Sequence, residues 1–247
     1  GTLLPPKMER LIKQHRIHLT YSIDGPPEVH DLNRTDVNGD GSLARALSHF
    51  NHLGNNGDVS QGVEMTYSPQ ALQAGYGIWE IAQFSQSRLG LFEPHIVPVQ
   101  SEPDSVFAWN GTQEKAIASY RSATTKALHS LLDGQYTGFS FVSTVLRTLI
   151  THRTRPLICP AGAGTLAVDP AGDVYPCFMF AGQPEFCLGN VKEPPEDDVF
   201  MERLQGFVHH NRKETHANCR TCWARKLCTG CIGEIHVRTG RLDRESE

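Results

Sequence analysis

Residues 219–231 read CRTCWARKLCTGC, four cysteines in thirteen residues, and what holds these thiols so close decides what kind of chain this is. Three more precede them, Cys159, Cys177 and Cys187, making seven. Disulfides use cysteines in pairs, in an oxidising compartment, and dominate in small domains with poor cores. An odd count in a chain of 247 residues fits that poorly. C-x2-C pairs favour metal or redox chemistry. A tetrahedral zinc site usually separates its two pairs by more than the five residues between Cys222 and Cys228. Iron–sulfur clusters accept short, irregular runs, because their iron corners spread over a larger body. One zinc would also leave Cys159, Cys177 and Cys187 idle. Two metal sites sharing the seven thiols is the simpler expectation, with a zinc-stapled carboxyl-terminal module as the alternative.

Composition narrows the rest. Hydrophobic residues make up 39% and charged residues 20%, as in an ordinary globular protein. The net charge of −4 gives no electrostatic case for nucleic acid. No apolar run approaches the roughly 18–20 residues of a membrane span, and no secretion signal is visible. The expected setting is cytoplasmic, with no membrane partner. The sequence opens on Gly1 without an initiator methionine and reads as a piece of a longer protein.

Upstream of the cysteines, helix and strand alternate. PPKMERLIKQH (5–15) places prolines at a helix start and Met8, Leu11 and Ile12 on one stripe. IHLTYSID (17–24) alternates Ile17, Leu19, Tyr21 and Ile23 as a strand does. Ser42 is placed to cap a helix carrying Leu43, Ala46, Leu47 and Phe50 that stops at Gly54. VEMTYS (63–68) is a second strand, followed by one long helix from Pro69 to Gly90. PHIVPV (94–99) is a third strand, and two helices follow before residue 152. This is the pattern of a parallel α/β layer. With only about three strands, a closed eight-stranded barrel is out of reach. From about residue 155 the texture turns to Gly, Pro and Cys, with a hairpin around Pro170-Ala171-Gly172, an acidic linker PPEDD (194–198) and a short helix leading into the cysteine cluster. The domain boundary is expected near residue 154.

These residues carry a resemblance. Cys159, twelve residues, Gly172, four residues, Cys177, then Cys219-x2-Cys222-x5-Cys228-x2-Cys231 resembles the SPASM domain. That domain is the auxiliary iron–sulfur extension of radical S-adenosylmethionine (AdoMet) enzymes that modify peptides. AVDPAGDVYPC (167–177) followed by LGNV (188–191) is similar to that family's hairpin. YSIDGPPEVHDLNR (21–34) resembles its S-[IL]-D-G-P…H-D…R segment, and GTLL (1–4) the end of the preceding barrel strand with its loop. The resemblance implies an α/β fold: the second half of a partial (β/α)6 TIM-like barrel over 1–154, then a small Cys-rich α+β SPASM domain over 155–247, truncated at its end.

Site residues follow from the resemblance. Ser22 would meet the methionine portion or ribose of AdoMet, Arg34 its carboxylate, and Val97 the adenine side. Read alone, Ser22 is a turn residue and Arg34 a surface charge. Asp24, Gly25 and Pro26 are expected to shape a turn, with Gly25 supplying backbone freedom. Cys159, Cys177 and Cys231 would hold a first auxiliary 4Fe-4S cluster, and Cys219, Cys222 and Cys228 a second, completed by a cysteine further downstream. Cys187 would either close the first cluster or be a buried free thiol. The intact enzyme would use a radical-generating cluster and AdoMet to abstract hydrogen from a peptide or protein substrate. A flavodoxin-type or ferredoxin-type donor would supply electrons.

Four departures stand out. No C-x3-C-x2-C triplet occurs in the 247 residues, so this chain alone is expected not to cleave AdoMet. The cysteine completing the second cluster is absent, and the last spacing is two where the family more often has three. Phe178 stands where the sulfatase-maturing branch carries an acidic base, which points to another peptide modification, with no catalytic residue assigned. DVNGDG (36–41) imitates a calcium loop but reaches Leu47 where a glutamate belongs, so a polar turn is expected. His209, His210 and His216 read as exposed helix-end residues. A zinc-stabilised peptide-binding module and an electron-transfer iron–sulfur protein remain alternative readings.

Overall fold

The computed structural model describes residues 1–54, 57 and 59–243. The chain divides into two compact units, Gly1–Arg147 and Thr148–Glu247.

The first unit is built on a parallel sheet in the order β1 (Leu19–Ser22), β2 (Gln61–Tyr67), β3 (His95–Pro98). Register aligns Ser22 with Glu64, Glu64 with His95, and Thr66 with Val97. Alternation along each strand sends Tyr21, Ile23, Val63, Met65, Tyr67 and Ile96 to a buried face. There they meet α2 (Pro27–Asn33), α3 (Leu43–Gly54), α4 (Pro69–Gln73), α5 (Ile78–Phe84) and α6 (Gln113–Leu132) through Val29, Phe50, Ala71, Ile81 and Ala123. Each large apolar side chain buried this way contributes about 1.5–3 kcal/mol. The opposite strand positions, Thr20, Ser22, Glu64, Thr66, His95 and Val97, are exposed or half-buried. Parallel sheets normally have both faces covered, so this polar face is where a ligand surface is sought.

Two sequence expectations are corrected here. The helix from Pro69 to Gly90 is broken: α4 ends at Gln73, Gly75 takes φ +86°, and α5 restarts at Ile78 with Glu80 accepting the Gly77 N–H at 3.0 Å. A π turn, Ser85–Leu89, then carries the chain to Gly90. Glycines at 75 and 77 are cheap places to interrupt a helix, and the apolar stripe on both sides disguises the break. Ser42 does not cap α3 with its hydroxyl either. Asp31 accepts the Leu43 N–H at 2.9 Å, and the Ser42 hydroxyl donates to the Arg34 carbonyl at 2.6 Å. Residues 36–41 form the expected polar turn, with Asp36 Oδ1 accepting from the Asn38 and Asp40 N–H groups. GTLL (1–4) is irregular chain with no strand.

The second unit begins within the last turns of α7 (Ser140–Thr151). It has an antiparallel sheet of very short strands, β4 (Ala167–Val168), β5 (Asp173–Tyr175) and β6 (Gly189–Asn190). Asp169 makes the hairpin turn, its Oδ1 accepting the Gly172 and Asp173 N–H groups at 2.9 Å. Gly172 is needed there: its φ is +99°, and a Cβ would sit 3.1 Å from Asn190 Oδ1. Helix α8 (Asp197–His210) starts inside the stretch read as an acidic linker, its first-turn Asp197 and Asp198 lying where the helix dipole favours negative charge. Two short helices, α9 (Ala217–Thr221) and α10 (Ile232–Thr239), frame the cysteine cluster. The apolar core is small: Ala161, Tyr175, Phe180, Phe207 and Ile232, with Cys159, Cys177 and Cys187 packed against it.

Candidate functional site

At the carboxyl end of the parallel sheet, β1 runs into Asp24, which is 4% exposed. Its carboxylate takes a fork from Arg34, Nε to Oδ2 at 2.6 Å and Nη2 to Oδ1 at 3.1 Å. It also accepts the Thr66 N–H of β2 at 2.9 Å, and Arg34 Nη2 reaches Thr66 Oγ1 at 3.3 Å. Bidentate guanidinium–carboxylate pairs fix a plane as well as a distance. Gly25 follows at φ +150°, bringing the backbone close enough to α2 that a Cβ would lie 3.3 Å from Val29.

His30 locks the same loop from beneath. Its Nδ1 accepts the Asp24 N–H at 3.2 Å, so the neutral ring carries its proton on Nε2, which meets Ser42 Oγ at 3.0 Å. Ser42 passes its own hydrogen to the Arg34 carbonyl. The ring is 1% exposed, and burial holds its pKa below the ordinary histidine value, against the pull of Asp24 and Asp31. Both ends of the Asp24–Arg34 pair are therefore held through one imidazole.

Of the expected AdoMet residues, Ser22 is exposed and Val97 half-buried on the polar sheet face, one row apart in the ladder. Arg34 is half-buried at the edge of that face and already paired. Asp24 is thus more than a turn former. Sequence reading missed Asp24, His30, Ser42 and Thr66 as a set. The available signal was the closeness in sequence of Asp24, His30 and Arg34, with His30 on α2 and Arg34 at its C-cap, both near the strand end.

In the second unit, thiols from three separate segments converge. Burial pushes the Cys231 thiol above its ordinary pKa, the Glu234 N–H pulls it back, and the nearby Cys159 and Cys177 raise it further. Cys231 caps α10, its Sγ accepting the Glu234 N–H at 3.4 Å. Asn211, fully buried, holds Cys159: its Nδ2 donates to the Cys159 and Ala161 carbonyls, both at 2.9 Å. Two further thiols, Cys219 and Cys228, lie near Lys213. This ammonium, 3% exposed, donates to the carbonyls of Arg225 at 2.9 Å and Cys228 at 2.7 Å, and it feels the Cys228 and Cys219 thiols. Cys222 follows α9 and is exposed. Cys187 donates to the Gly189 carbonyl at 3.5 Å and borders a hollow of about 450 Å³ with Arg203, Phe207 and His210. His216 is not an exposed helix-end residue: it is 2% exposed, with Nε2 2.7 Å from the His210 carbonyl.

None of the seven cysteines is in a disulfide. Among the described residues, no three His, Cys, Asp or Glu side chains are drawn tightly enough to hold a single metal ion. An all-sulfur donor set in two groups, with backbone N–H groups directed at sulfur, is chemically suited to iron–sulfur ligation, where ligands spread around a larger body. Among the described residues no helix is long and apolar enough to cross a membrane.

Comparison with known proteins agrees with this chemistry. Residues 159–223 match the SPASM family, an iron–sulfur cluster-binding domain. The chain is 19% identical over 234 residues to a cysteine-type anaerobic sulfatase-maturating enzyme of Clostridium novyi (strain NT), covering 94% of this chain and 62% of that protein. Its fold follows native anSMEcpe with bound AdoMet at a TM-score of 0.74 and 16% identity, over 98% of this chain and 66% of that one. It also follows native anSMEcpe with bound AdoMet and Cp18Cys peptide, at a TM-score of 0.72 and 16% identity, over 98% and 67%. This chain carries a SPASM iron–sulfur domain, of the kind that extends radical AdoMet enzymes. It is a distant homologue of an anaerobic sulfatase-maturating enzyme over most of its length, and spans 62% of that relative.

Proposed function

We propose that this chain is the carboxyl-terminal part of a radical AdoMet maturase that modifies a peptide or protein. Residues 1–154 act as the second half of a partial (β/α)6 barrel, and 155–247 as its SPASM auxiliary-cluster domain. One observation carries the reading: Cys159, Cys177 and Cys231 come together around a small sheet within and beside the segment that matches an iron–sulfur domain. In this reading they hold one 4Fe-4S cluster, Cys219, Cys222 and Cys228 hold the second, and Cys187 is the thiol available to complete the first. The clusters, when bound, supply one-electron transfer, while the protein binds, orients and insulates.

On the barrel side, Ser22, Arg34 and Val97 form the proposed AdoMet surface. Asp24 and Thr66 engage Nε and Nη2 of Arg34, so they set the guanidinium plane and leave Nη1 to meet the AdoMet carboxylate. Peptide as substrate is supported by the peptide bound to the homologous fold. Phe178 is apolar and 69% exposed. It offers no base, and the proposal does not extend to sulfatase maturation.

The test is calorimetric titration of AdoMet into the chain after anaerobic iron–sulfur reconstitution. Binding that weakens at least tenfold in Arg34→Ala is expected, a loss of about 1.4 kcal/mol or more, in the range of one charged hydrogen bond. A chain that holds clusters yet ignores AdoMet would instead be an electron-transfer protein. Zinc without sulfide would make it a stapled binding module.

A further inference from the structure

Asn211 and Lys213 lie two residues apart where the chain leaves α8: Asn211 is its C-cap, Arg212 is extended, and Lys213 opens a 3-10 turn. Arg212, between them, bridges antiparallel to Leu157. The pairing continues on both sides: the Ile158 N–H donates to the Asn211 carbonyl at 2.8 Å, and the Lys213 N–H to the Pro156 carbonyl at 2.8 Å. Asn211 and Lys213 are 0% and 3% exposed, in a unit whose apolar core is small. Burying an amide and an ammonium is costly unless each is fully engaged.

Each is engaged with a different thiol group. Asn211 closes on Cys159 from every side: Nδ2 to its carbonyl at 2.9 Å, its N–H to Oδ1 at 3.3 Å, and its Sγ 3.9 Å from Oδ1. Lys213 ties the loop between Cys222 and Cys228 by the Arg225 and Cys228 carbonyls. Two of the three ammonium N–H groups go to those carbonyls. The third has no carbonyl or carboxylate partner among the described residues; burial lowers the pKa of the ammonium, and the Cys228 and Cys219 thiols are near enough to oppose that shift.

We propose that the 211–213 stretch is a two-sided positioning strap, in which Asn211 sets the Cys159 site and Lys213 sets, and places a fixed positive charge beside, the Cys219/Cys222/Cys228 site. The proposal rests on the reading of these thiols as two cluster sites. Hydrogen bonds and nearby charge are the levers by which a protein sets a cluster's potential. Lys213 is then a positioning residue for the second site and Asn211 for the first.

The experiment compares Asn211→Leu, Lys213→Gln and Lys213→Arg with the unsubstituted chain. Iron and sulfide are counted after anaerobic reconstitution, the potential of each cluster is followed by electron paramagnetic resonance, and amide exchange is mapped on the metal-free chain. Lys213→Gln should leave the first cluster intact and make the second harder to reduce, or empty it, with Lys213→Arg restoring the unsubstituted behaviour. Asn211→Leu should affect the first cluster. In the metal-free chain, Lys213→Gln should speed exchange at 225–228, and Asn211→Leu at 158–162, by roughly tenfold or more, as loss of a buried hydrogen bond implies. Equal damage to both sites from either substitution, or none from either, overturns the strap. An unsubstituted chain without iron and sulfide overturns the cluster reading instead. The exchange map still judges the strap in that case: site-selective loosening retains it as a positioning element, and uniform loosening removes it.

Discussion

The two units of this chain are stabilised by different means. The first has a broad apolar core in which Ile23, Met65, Tyr67, Ile78 and Ile81 are fully buried between a sheet and its helices. The second has strands of two and three residues, a largest apolar cluster of five buried residues among those described, and loops that end on cysteines. Hydrophobic burial is ample in one and thin in the other. A thin core is what structural metals and clusters compensate for, because ligand binding then becomes folding free energy. The difference predicts that the second unit, more than the first, gains its stability from a bound cluster.

The largest expected effect follows at once. Holding the chain free of iron should lower exchange protection beyond residue 155, without removing it, while leaving 19–98 unchanged, as read by hydrogen–deuterium exchange. Equal protection in both states would erase the contrast. Phe180→Ala removes a fully buried ring packed on Phe186 and Phe207. It should cost the second unit about 3–5 kcal/mol and lower iron retention, leaving the first unit's unfolding transition in place. Asp24→Asn strips Arg34 of its charged partner. The expected loss is about 2–3 kcal/mol, confined to the first unit, with iron content unchanged and AdoMet binding weakened.

Smaller effects sharpen the contrast further. Gly172→Ala forces a side chain into a left-handed turn and should cost about 1–2 kcal/mol in denaturant unfolding of the second unit. Acid should touch the first unit through His30, whose folded pKa lies below the unfolded value of 6.5. Between the two values the unfolded chain binds more protons. Its contribution to stability is therefore complete above about pH 6.5 and is lost as pH falls through the folded pKa. A flatter pH dependence of the first unit's stability in His30→Gln is the check.

Much of this was legible in the sequence. Alternation in LTYS and VEMTY announced two strands, because one face is buried and the other is not. Cysteine spacing pointed to the iron–sulfur domain family that residues 159–223 match. What escaped was tertiary. Asp24 looked like a turn residue because nothing local shows that Arg34 and the Thr66 N–H will converge on it from another helix and another strand. The apolar stripe of 69–90 concealed a break made by two glycines. Nothing local shows that Asn211 and Lys213 will be buried, since that depends on a bridge to Leu157 more than fifty positions away.

The central claim is that two groups of thiols hold iron–sulfur clusters. The measurement that tests it most directly is iron, zinc and acid-labile sulfide per chain, on protein purified and reconstituted without oxygen. About six to eight irons with matching sulfide are expected for two cubane clusters. About one or two zincs without sulfide would contradict the claim and make the cysteines of 219–231 a structural staple.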